Sequence, residues 1–161
     1  MRYFISSVRY NWTDPIDIGF IQDKENGVYI DPNDKSKWKK MRMLDLGWGV
    51  ETGLYRLPVL EINELFKIVF EYKKKINKVL SDEDYNFYGA LSYLIQYYPH
   101  ELIDEFTRRL YNKTLHRKSY SELIKFLDRE FQCADNIFDK LSDKNQKELI
   151  MKWKQLKSIG R

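Results

Sequence analysis

The spacing of apolar residues changes at Pro58, and this change constrains the fold more than any other feature of the chain. Before Pro58, the segment Arg2–Tyr10 alternates polar with apolar residues and is rich in aromatic and β-branched types, as strands are. After Pro58, apolar residues recur three or four positions apart from Ile62 to Leu80, as on one face of a helix. Strands followed by helices predict an α+β fold in which a small sheet packs on a helical layer.

The β-rich part covers about residues 1–58 and predicts a small antiparallel sheet made of hairpins. Asp17–Asp23 and Gly27–Ile30 flank a segment that ends in Asn-Gly, the strongest short hairpin signal. Two further strands are predicted at Met41–Leu46 and Trp48–Leu57, and the glycines of the second indicate a bulge or a tight bend.

Residues 59–161 predict a bundle of about five α-helices. Ser81–Asp84 combines a capping serine with acids in a first turn, which marks a helix start. Gly89 lies inside that helix at a cost of about 1 kcal/mol relative to alanine, so we expect a neighbouring helix to approach closely there. Pro99 ends the helix and suits the first position of the next one. The last two helices are predicted to start at caps formed by Ser119 or Ser121 and by Ser142.

The length of the chain, 161 residues, is enough to bury a core as one domain, residues 1–161. No low-complexity segment or linker separates its two parts. Charged residues make up 32% and are mixed in sign, which indicates a globular chain rather than a disordered one. No apolar run is long enough to span a membrane, and the single cysteine excludes an internal disulfide. We therefore expect a cytoplasmic protein with no membrane partner.

The residues that could carry chemistry form no complete catalytic or metal motif. His100 and His116 are the two histidines, whereas metal sites usually need three or four clustered ligands. Cys133 lies on the apolar side of a predicted helix, near acids that would raise the pKa of its thiol. The three glycines of Gly47–Gly53 have a spacing one residue longer than that of a dinucleotide-binding fingerprint. We therefore expect no cofactor, no metal and no catalysis.

Lys35–Arg42 is the densest basic cluster and is predicted to be a loop. Its positive charges around Trp38 would suit a protein partner, because tryptophan and arginine dominate interface hot spots. They would also suit nucleic acid, with the cations on phosphates and the indole stacked on a base. A third alternative is a solvated loop whose Trp38 folds into the core. A second basic cluster, Arg108–Lys118, belongs to the nucleic-acid hypothesis.

In overall character the chain resembles immunity proteins of bacterial polymorphic toxin systems, including those of contact-dependent inhibition. Those proteins are small, single-domain, cytosolic and rich in aromatic residues, which make up 16% of this chain, and they have no catalytic motif. The resemblance implies a stoichiometric inhibitor that covers the active site of a toxin domain, or a surface that the toxin needs. Many nuclease-blocking immunity proteins are acidic, and this chain departs from them with a net charge of +4.

The protein-binding hypothesis places the contact surface at the basic cluster and at the glycine-rich segment that follows it. The predicted partner-binding residues are Lys37, Trp38, Lys39, Lys40, Arg42, Trp48 and Glu51. Trp48 has two interpretations, a side chain that locks the junction between sheet and helices or a side chain offered to a partner. Nucleic-acid binding through Lys35–Arg42 and Arg108–Lys118 is the alternative function, and it would weaken steeply as the salt concentration rises.

Overall fold

The computed structural model describes residues 1–7, 11–44, 50–73, 80–115, 123–124, 127–128 and 143–159. The chain divides into two compact units, residues 1–94 and residues 95–161. The first unit holds the sheet and the first helices, so the change of sequence pattern at Pro58 does not coincide with the boundary between the units. The prediction that residues 1–161 form a single domain stays a prediction. Within the described ranges, no helix is both long and apolar enough to cross a membrane.

Five antiparallel strands form one sheet in the first unit, in the order β1-β5-β4-β3-β2. Their bounds are β1 Phe4–Ser6, β2 Ile21–Asp23, β3 Val28–Ile30, β4 Lys37–Leu44 and β5 Val50–Leu57. Strands β2 to β5 follow one another as a meander, and β1 pairs with β5 at the far edge. The α+β class and the antiparallel sheet predicted for residues 1–58 are confirmed.

The β2–β3 hairpin forms where the Asn-Gly signal predicts it. Gly27 has a φ of 63°, the left-handed conformation that glycine adopts most readily. The carboxylate of Asp23 accepts hydrogen bonds from the backbone and side-chain nitrogens of Asn26, at 3.2 and 2.8 Å, and these bonds close the turn. The strand predicted from residue 17 begins only at Ile21, because Pro15–Ile18 forms a 3₁₀ turn capped by Asp14.

The basic cluster Lys35–Arg42 is not a loop, which corrects the prediction from its charge. Residues from Lys37 onward form β4. This strand pairs with β5 at eight successive positions, the first with Lys37 opposite Leu57 and the last with Leu44 opposite Val50. Because successive side chains of a strand point to opposite faces, Trp38 is buried on one face while Met41 and Met43 are buried on the other. The many lysines conceal this alternation in the sequence.

The two faces of the sheet have different coverings. The face that carries Trp38, called here the Trp38 face, also carries Ile5, Tyr29 and Leu54. These four residues form one buried cluster with Trp12 and Phe20, which belong to the segment between β1 and β2. The opposite face, called here the Lys37 face, packs against a helix at its β1–β5 side.

Four α-helices lie within the described residues: α1 Ile62–Phe70, α2 Asp82–Tyr97, α3 Pro99–Tyr111 and α4 Asp143–Ile159. The predicted number of about five is therefore slightly too high for this part of the chain. Most of the helix predicted from Ser119 or Ser121 lies outside the described residues, although residues 123–124 and 127–128 are helical. The starts predicted at Ser81–Asp84 and Pro99 are confirmed.

Helix α1 ends at Phe70, earlier than the periodic pattern to Leu80 predicts. Tyr72 has left the helix, and its ring stacks on Phe87 with 4.2 Å between the ring centroids. Its hydroxyl donates a hydrogen bond to the carboxylate of Asp84, which also accepts from the backbone nitrogen and hydroxyl of Ser81. These contacts attach Tyr72 to the first turns of α2, and residues 74–79 of the predicted helix lie outside the described residues.

Helix α2 packs directly on β1 at Gly89. A Cβ atom at Gly89 would lie 2.2 Å from Cγ of Phe4, which is far inside van der Waals contact. The predicted close approach is confirmed, but the neighbour is the side chain of a strand residue and not a helix. Asn86 fixes the same junction, because its Oδ1 accepts hydrogen bonds from the backbone nitrogens of Tyr3 and Phe4, at 2.9 and 3.3 Å.

In the second unit, α3 and α4 contact each other through apolar faces. The buried residues are Leu102, Ile103 and Phe106 on α3 and Leu149, Trp153 and Leu156 on α4. Two lysines of α4 add ion pairs at the edges of this contact. Lys152 pairs with Asp104 at 2.9 Å, and Lys157 pairs with Asp128 at 2.7 Å. Asp128 also accepts a hydrogen bond from the Trp153 indole nitrogen at 3.1 Å.

The contacts of Asp128 predict a loss of stability in acid. The hydrogen bond from Lys157 lowers the pKa of Asp128 below its ordinary value. The stabilisation is therefore present above the pKa of an unfolded aspartate and is lost as the pH falls through the lower folded pKa. We expect the Tm of Asp128→Asn to fall less than the Tm of the unmodified protein when the pH is lowered from about 5 to about 2. Thermal unfolding followed by circular dichroism measures both values. Lys157→Met should flatten the same profile, and an unchanged profile in both variants would contradict the assignment.

Candidate protein-binding surface

Trp38 lies in the core and not on the surface. Its side chain is only 3% exposed, and its ring meets Phe20 edge-on with 6.1 Å between centroids. The indole N–H donates a 2.7 Å hydrogen bond to Oγ of Ser36, so the polar end is satisfied inside the protein. Of the alternatives left open by the sequence, this is the one in which Trp38 folds into the core, and the residue offers almost no area to a partner.

Lys40 lies on the same Trp38 face and is paired within the chain. Its ammonium nitrogen is 2.8 Å from Oδ2 of Asp14 and 5.1 Å from the centroid of the Tyr29 ring. The hydrogen bond between the two groups lowers the pKa of Asp14 and raises the pKa of Lys40. Arg42, two positions further along this face, is partly buried. Neither side chain is therefore a freely available cation.

The Lys37 face carries an exposed row of side chains that crosses four strands. The strand register places Ile21 opposite Ile30, Ile30 opposite Lys37, and Lys37 opposite Leu57. Directly opposite residues project from the same face, so these four side chains, called here the Ile21 row, form a line about 14 Å long. Ile21 is 56% exposed and Lys37 is also exposed, while Ile30 and Leu57 are partly buried.

Lys39 adds a second cation beside the Ile21 row. It is exposed, lies two positions after Lys37 on the same face, and is opposite Tyr55. Tyr55 is partly buried, with its ring 5.2 Å from that of Tyr93 on α2. In the part of the chain that the structure describes, neither Lys37 nor Lys39 forms an ion pair with a carboxylate. The hydrogen bonds from Asn26 and, to a smaller extent, the charge of Lys37 lower the pKa of Asp23 on the same face, so Lys37 has an acid in its vicinity without being ion-paired to it.

The Ile21 row places apolar side chains and a cation side by side on an exposed part of the sheet. Apolar side chains with a cation among them can be covered by a partner, which removes apolar area from water and satisfies the charge. The row also reaches β2, an edge strand of only three residues. A short strand limits edge-to-edge pairing with other chains, so side-chain contacts on the face are the better means of recognition.

The remaining predicted contact residues lie at or beyond the limit of the described structure. Trp48 and the glycines at 47 and 49 are outside the described residues, so both interpretations of Trp48 stay open. Glu51 lies in β5 opposite Met43. Gly53 is opposite Met41 in an uninterrupted ladder, so the bulge or bend predicted for this strand is absent at that position. A glycine suits this position because a Cβ atom there would lie 2.8 Å from Sδ of Met43, which is inside van der Waals contact.

The sequence analysis missed the apolar members of the row: Ile21, Ile30 and Leu57. The hairpin signal at Asn26-Gly27 is sufficient to place Ile21 opposite Ile30. The pairing of Lys37 with Leu57 joins segments twenty residues apart, and no local pattern reveals its register. The row is therefore a product of the sheet topology.

The next question is whether acidic side chains of the described residues form a metal site or are paired within the protein. The described residues contain no group of three or more His, Cys, Asp or Glu side chains that could hold a metal ion. Asp84 caps α2 through Ser81 and accepts from Tyr72, whose burial raises the pKa of the phenol. Glu105 pairs with Arg108 and Arg109 at 2.6 and 2.7 Å. These acids have structural roles.

An open groove of 520 Å³ lies between the start of the chain, α1 and the first turn of α2. Its lining mixes the acids Glu71, Asp82 and Glu83 with Lys67 and the aromatic rings of Tyr3 and Tyr72. His100 is in the first turn of α3, while His116 and Cys133 are outside the described residues. The groove therefore lacks a histidine or cysteine among its described lining residues.

Comparisons of the chain with protein-family models, with curated proteins and with solved structures find no match. The chemistry of its own surfaces is therefore the basis for interpreting the molecule.

Proposed function

We propose that the chain is a non-catalytic protein-binding module, and specifically an immunity protein that neutralises a cognate bacterial toxin domain by covering its active site. The observation that carries the proposal is the Ile21 row, in which the exposed Lys37 lies between the partly buried Ile30 and Leu57, with the exposed Ile21 at the end of the row. The chain resembles immunity proteins in size, aromatic content and lack of a catalytic motif, and this resemblance indicates a toxin domain as the partner.

The charge of the surface indicates the chemistry of the partner. Lys37 has Ile30 and Leu57 directly beside it on the neighbouring strands. A carboxylate that reached Lys37 would be flanked by apolar groups, which exclude water from the pair in the way that surrounding residues protect an interface hot spot. A toxin surface with acidic and apolar residues side by side is therefore the expected complement.

The alternative function, nucleic-acid binding through Lys35–Arg42 and Arg108–Lys118, receives less support from the geometry. Stacking of a base on Trp38 would require an exposed indole, and that indole is buried. Lys40 is paired with Asp14, and Arg108 and Arg109 both contact Glu105. Positions 116–118 of the second cluster lie outside the described residues.

Substitutions in the Ile21 row should abolish or weaken toxin binding while the protein stays folded. We expect Ile21→Asp and Lys37→Glu each to lower the affinity at least about tenfold, since the first places a charge where the row is most apolar and exposed and the second reverses the charge that the partner would meet. Both side chains are exposed, so the Tm should change little. The measurement is isothermal titration with the purified toxin domain encoded beside the gene of this chain, together with survival of cells that express that toxin.

Ile16→Asp is the matched control for Ile21→Asp. Ile16 is 52% exposed but belongs to the 3₁₀ turn, in the segment that covers the opposite face of the sheet. The Ile16→Asp variant should bind the toxin domain with the affinity of the unmodified protein. If the neighbouring toxin domain does not bind, the immunity function is refuted. Binding that survives both row substitutions would refute the row as its surface.

A further inference from the structure

The five lysines of α4 divide into two groups with different surroundings. Lys152 and Lys157 lie at the edges of the buried face and pair with Asp104 and Asp128. The other three lysines, Lys144, Lys147 and Lys154, are exposed. None of these three forms a hydrogen bond or an ion pair with a residue whose side chain the structure describes, a set that leaves out Asp143 and Gln146 of the same helix. We call them the α4 lysine row.

The α4 lysine row lies on one side of the helix. At about 100° per residue, the three positions fall within about 80° of one another, opposite the buried Leu149, Trp153 and Leu156. Lys144 and Lys154 are ten residues apart, which is about 15 Å along the axis. The row is therefore a straight line of positive charge on a rigid element of 17 residues.

The surroundings of the row favour a polyanion over an apolar partner. Met151, 60% exposed, is the large apolar side chain that lies among the three lysines, while Ile150 and Ile159 are displaced toward the flanks of the helix. A helix that docks on a membrane or into a protein groove presents a continuous apolar stripe, and the apolar stripe of α4 is already buried. Two acids lie near the start of the row: Asp143 directly precedes Lys144 in the helix, and Glu148 lies on a flank near Lys144.

We infer that the α4 lysine row binds the phosphate backbone of nucleic acid without sequence preference. A lysine ammonium is a point charge that suits phosphate oxygens, and a phosphodiester chain presents such groups at regular intervals along a line. The row has no aromatic side chain for stacking and no arginine for a bidentate contact with a base, so it supplies affinity without base recognition. This surface belongs to the second unit and is independent of the Ile21 row and of the proposed toxin binding.

The salt dependence of binding to duplex DNA gives the first measurement. A fluorescein-labelled 20-base-pair duplex is titrated with the full chain, and binding is followed by fluorescence anisotropy at 50 and 200 mM NaCl. Three phosphate contacts imply a slope of about −2.7 in log K against log salt, so the affinity should fall about 40-fold over this fourfold increase. The absence of binding at 50 mM NaCl would overturn the inference.

A charge-matched pair of triple variants tests the location. Lys144→Glu, Lys147→Glu and Lys154→Glu together should lower the affinity for the duplex at least about 30-fold at 50 mM NaCl. The control combines Lys24→Glu, Lys67→Glu and Lys73→Glu, which are exposed positions of the first unit outside the basic cluster Lys35–Arg42 and change the net charge equally. It should stay within about threefold of the unmodified protein.

Equal losses in the two triple variants would overturn the inference, because binding would then depend on net charge alone. Retained binding in the α4 variant would overturn it as well. If the glutamate variant is unfolded by circular dichroism, the glutamine variant at the same three positions replaces it and should also reduce the salt slope toward zero. Binding of the unmodified chain to vesicles of anionic phospholipid but not to duplex DNA would assign the row to a membrane surface instead.

Discussion

Trp38→Ala is expected to lower the free energy of unfolding of the sheet-containing unit by about 3–5 kcal/mol, enough to unfold a marginally stable domain. The substitution removes one of the two tryptophans of the buried cluster on the Trp38 face, and Phe20, Tyr29 and Leu54 cannot close the space without moving strands. It also leaves the hydroxyl of Ser36 without the indole donor. Urea denaturation followed by circular dichroism measures the loss.

Trp38→Phe is the matched control for this prediction. It keeps an aromatic ring against Phe20 but removes the N–H that bonds to Ser36, at a cost of about 1–2 kcal/mol. The folded Trp38→Phe protein should bind its partner as tightly as the unmodified chain, because the side chain is inside the core. A stable Trp38→Phe variant that lost partner binding would show that Trp38 is an interface anchor after all.

Gly89→Ala is expected to destabilise the first unit by about 2–3 kcal/mol. Helix propensity alone would predict the opposite effect, a stabilisation. Alanine would favour the helix by about 1 kcal/mol, but its Cβ would lie 2.2 Å from Cγ and 2.3 Å from Cβ of Phe4. Phe4 cannot move away easily, since it is buried, paired with Tyr55 and held by Asn86. The overlap therefore outweighs the gain in propensity.

A double-mutant cycle with Phe4 tests that explanation. In a Phe4→Gly background both the ring and the Cβ atom that a Cβ at Gly89 would meet are gone, so Gly89→Ala should be neutral or stabilising there. The free energy of unfolding from urea titration gives all four corners of the cycle. An alanine at Gly89 that stabilised the protein with Phe4 intact would contradict the packing of α2 on β1.

Local signals in the sequence predict the features of this fold that depend on neighbouring residues. The Asn26-Gly27 turn, the capping cluster at Ser81–Asp84 and the stop at Pro99 each involve a few adjacent residues, and each is present in the structure. Gly89 shows the limit of prediction from local signals. Its cost in a helix predicts a close neighbour, but the neighbour is Phe4, 85 residues earlier in the chain, and nothing local identifies it.

The candidate site was harder to predict because it depends on register. Charge alone suggests that Lys37, Trp38, Lys39 and Lys40 act together, whereas the strand separates them onto two faces. Lys40 then pairs with Asp14 and Trp38 enters the core, which leaves Lys37 and Lys39 exposed. The apolar residues beside Lys37 come from three other strands, and their positions follow only from the complete sheet.

The pairing of β1 with β5 sets an order of events during folding. Strands β2 to β5 join through short connections, so this meander can form early with a low loss of chain entropy. Phe4–Ser6 must wait for residues 53–55, and the side chain that holds it, Asn86, comes later still. Until α2 is made, β5 has an unpaired edge and Phe4 is exposed to water. We therefore expect the first strand in the chain to be the last one secured, and the folding chain to be most prone to aggregation before that step.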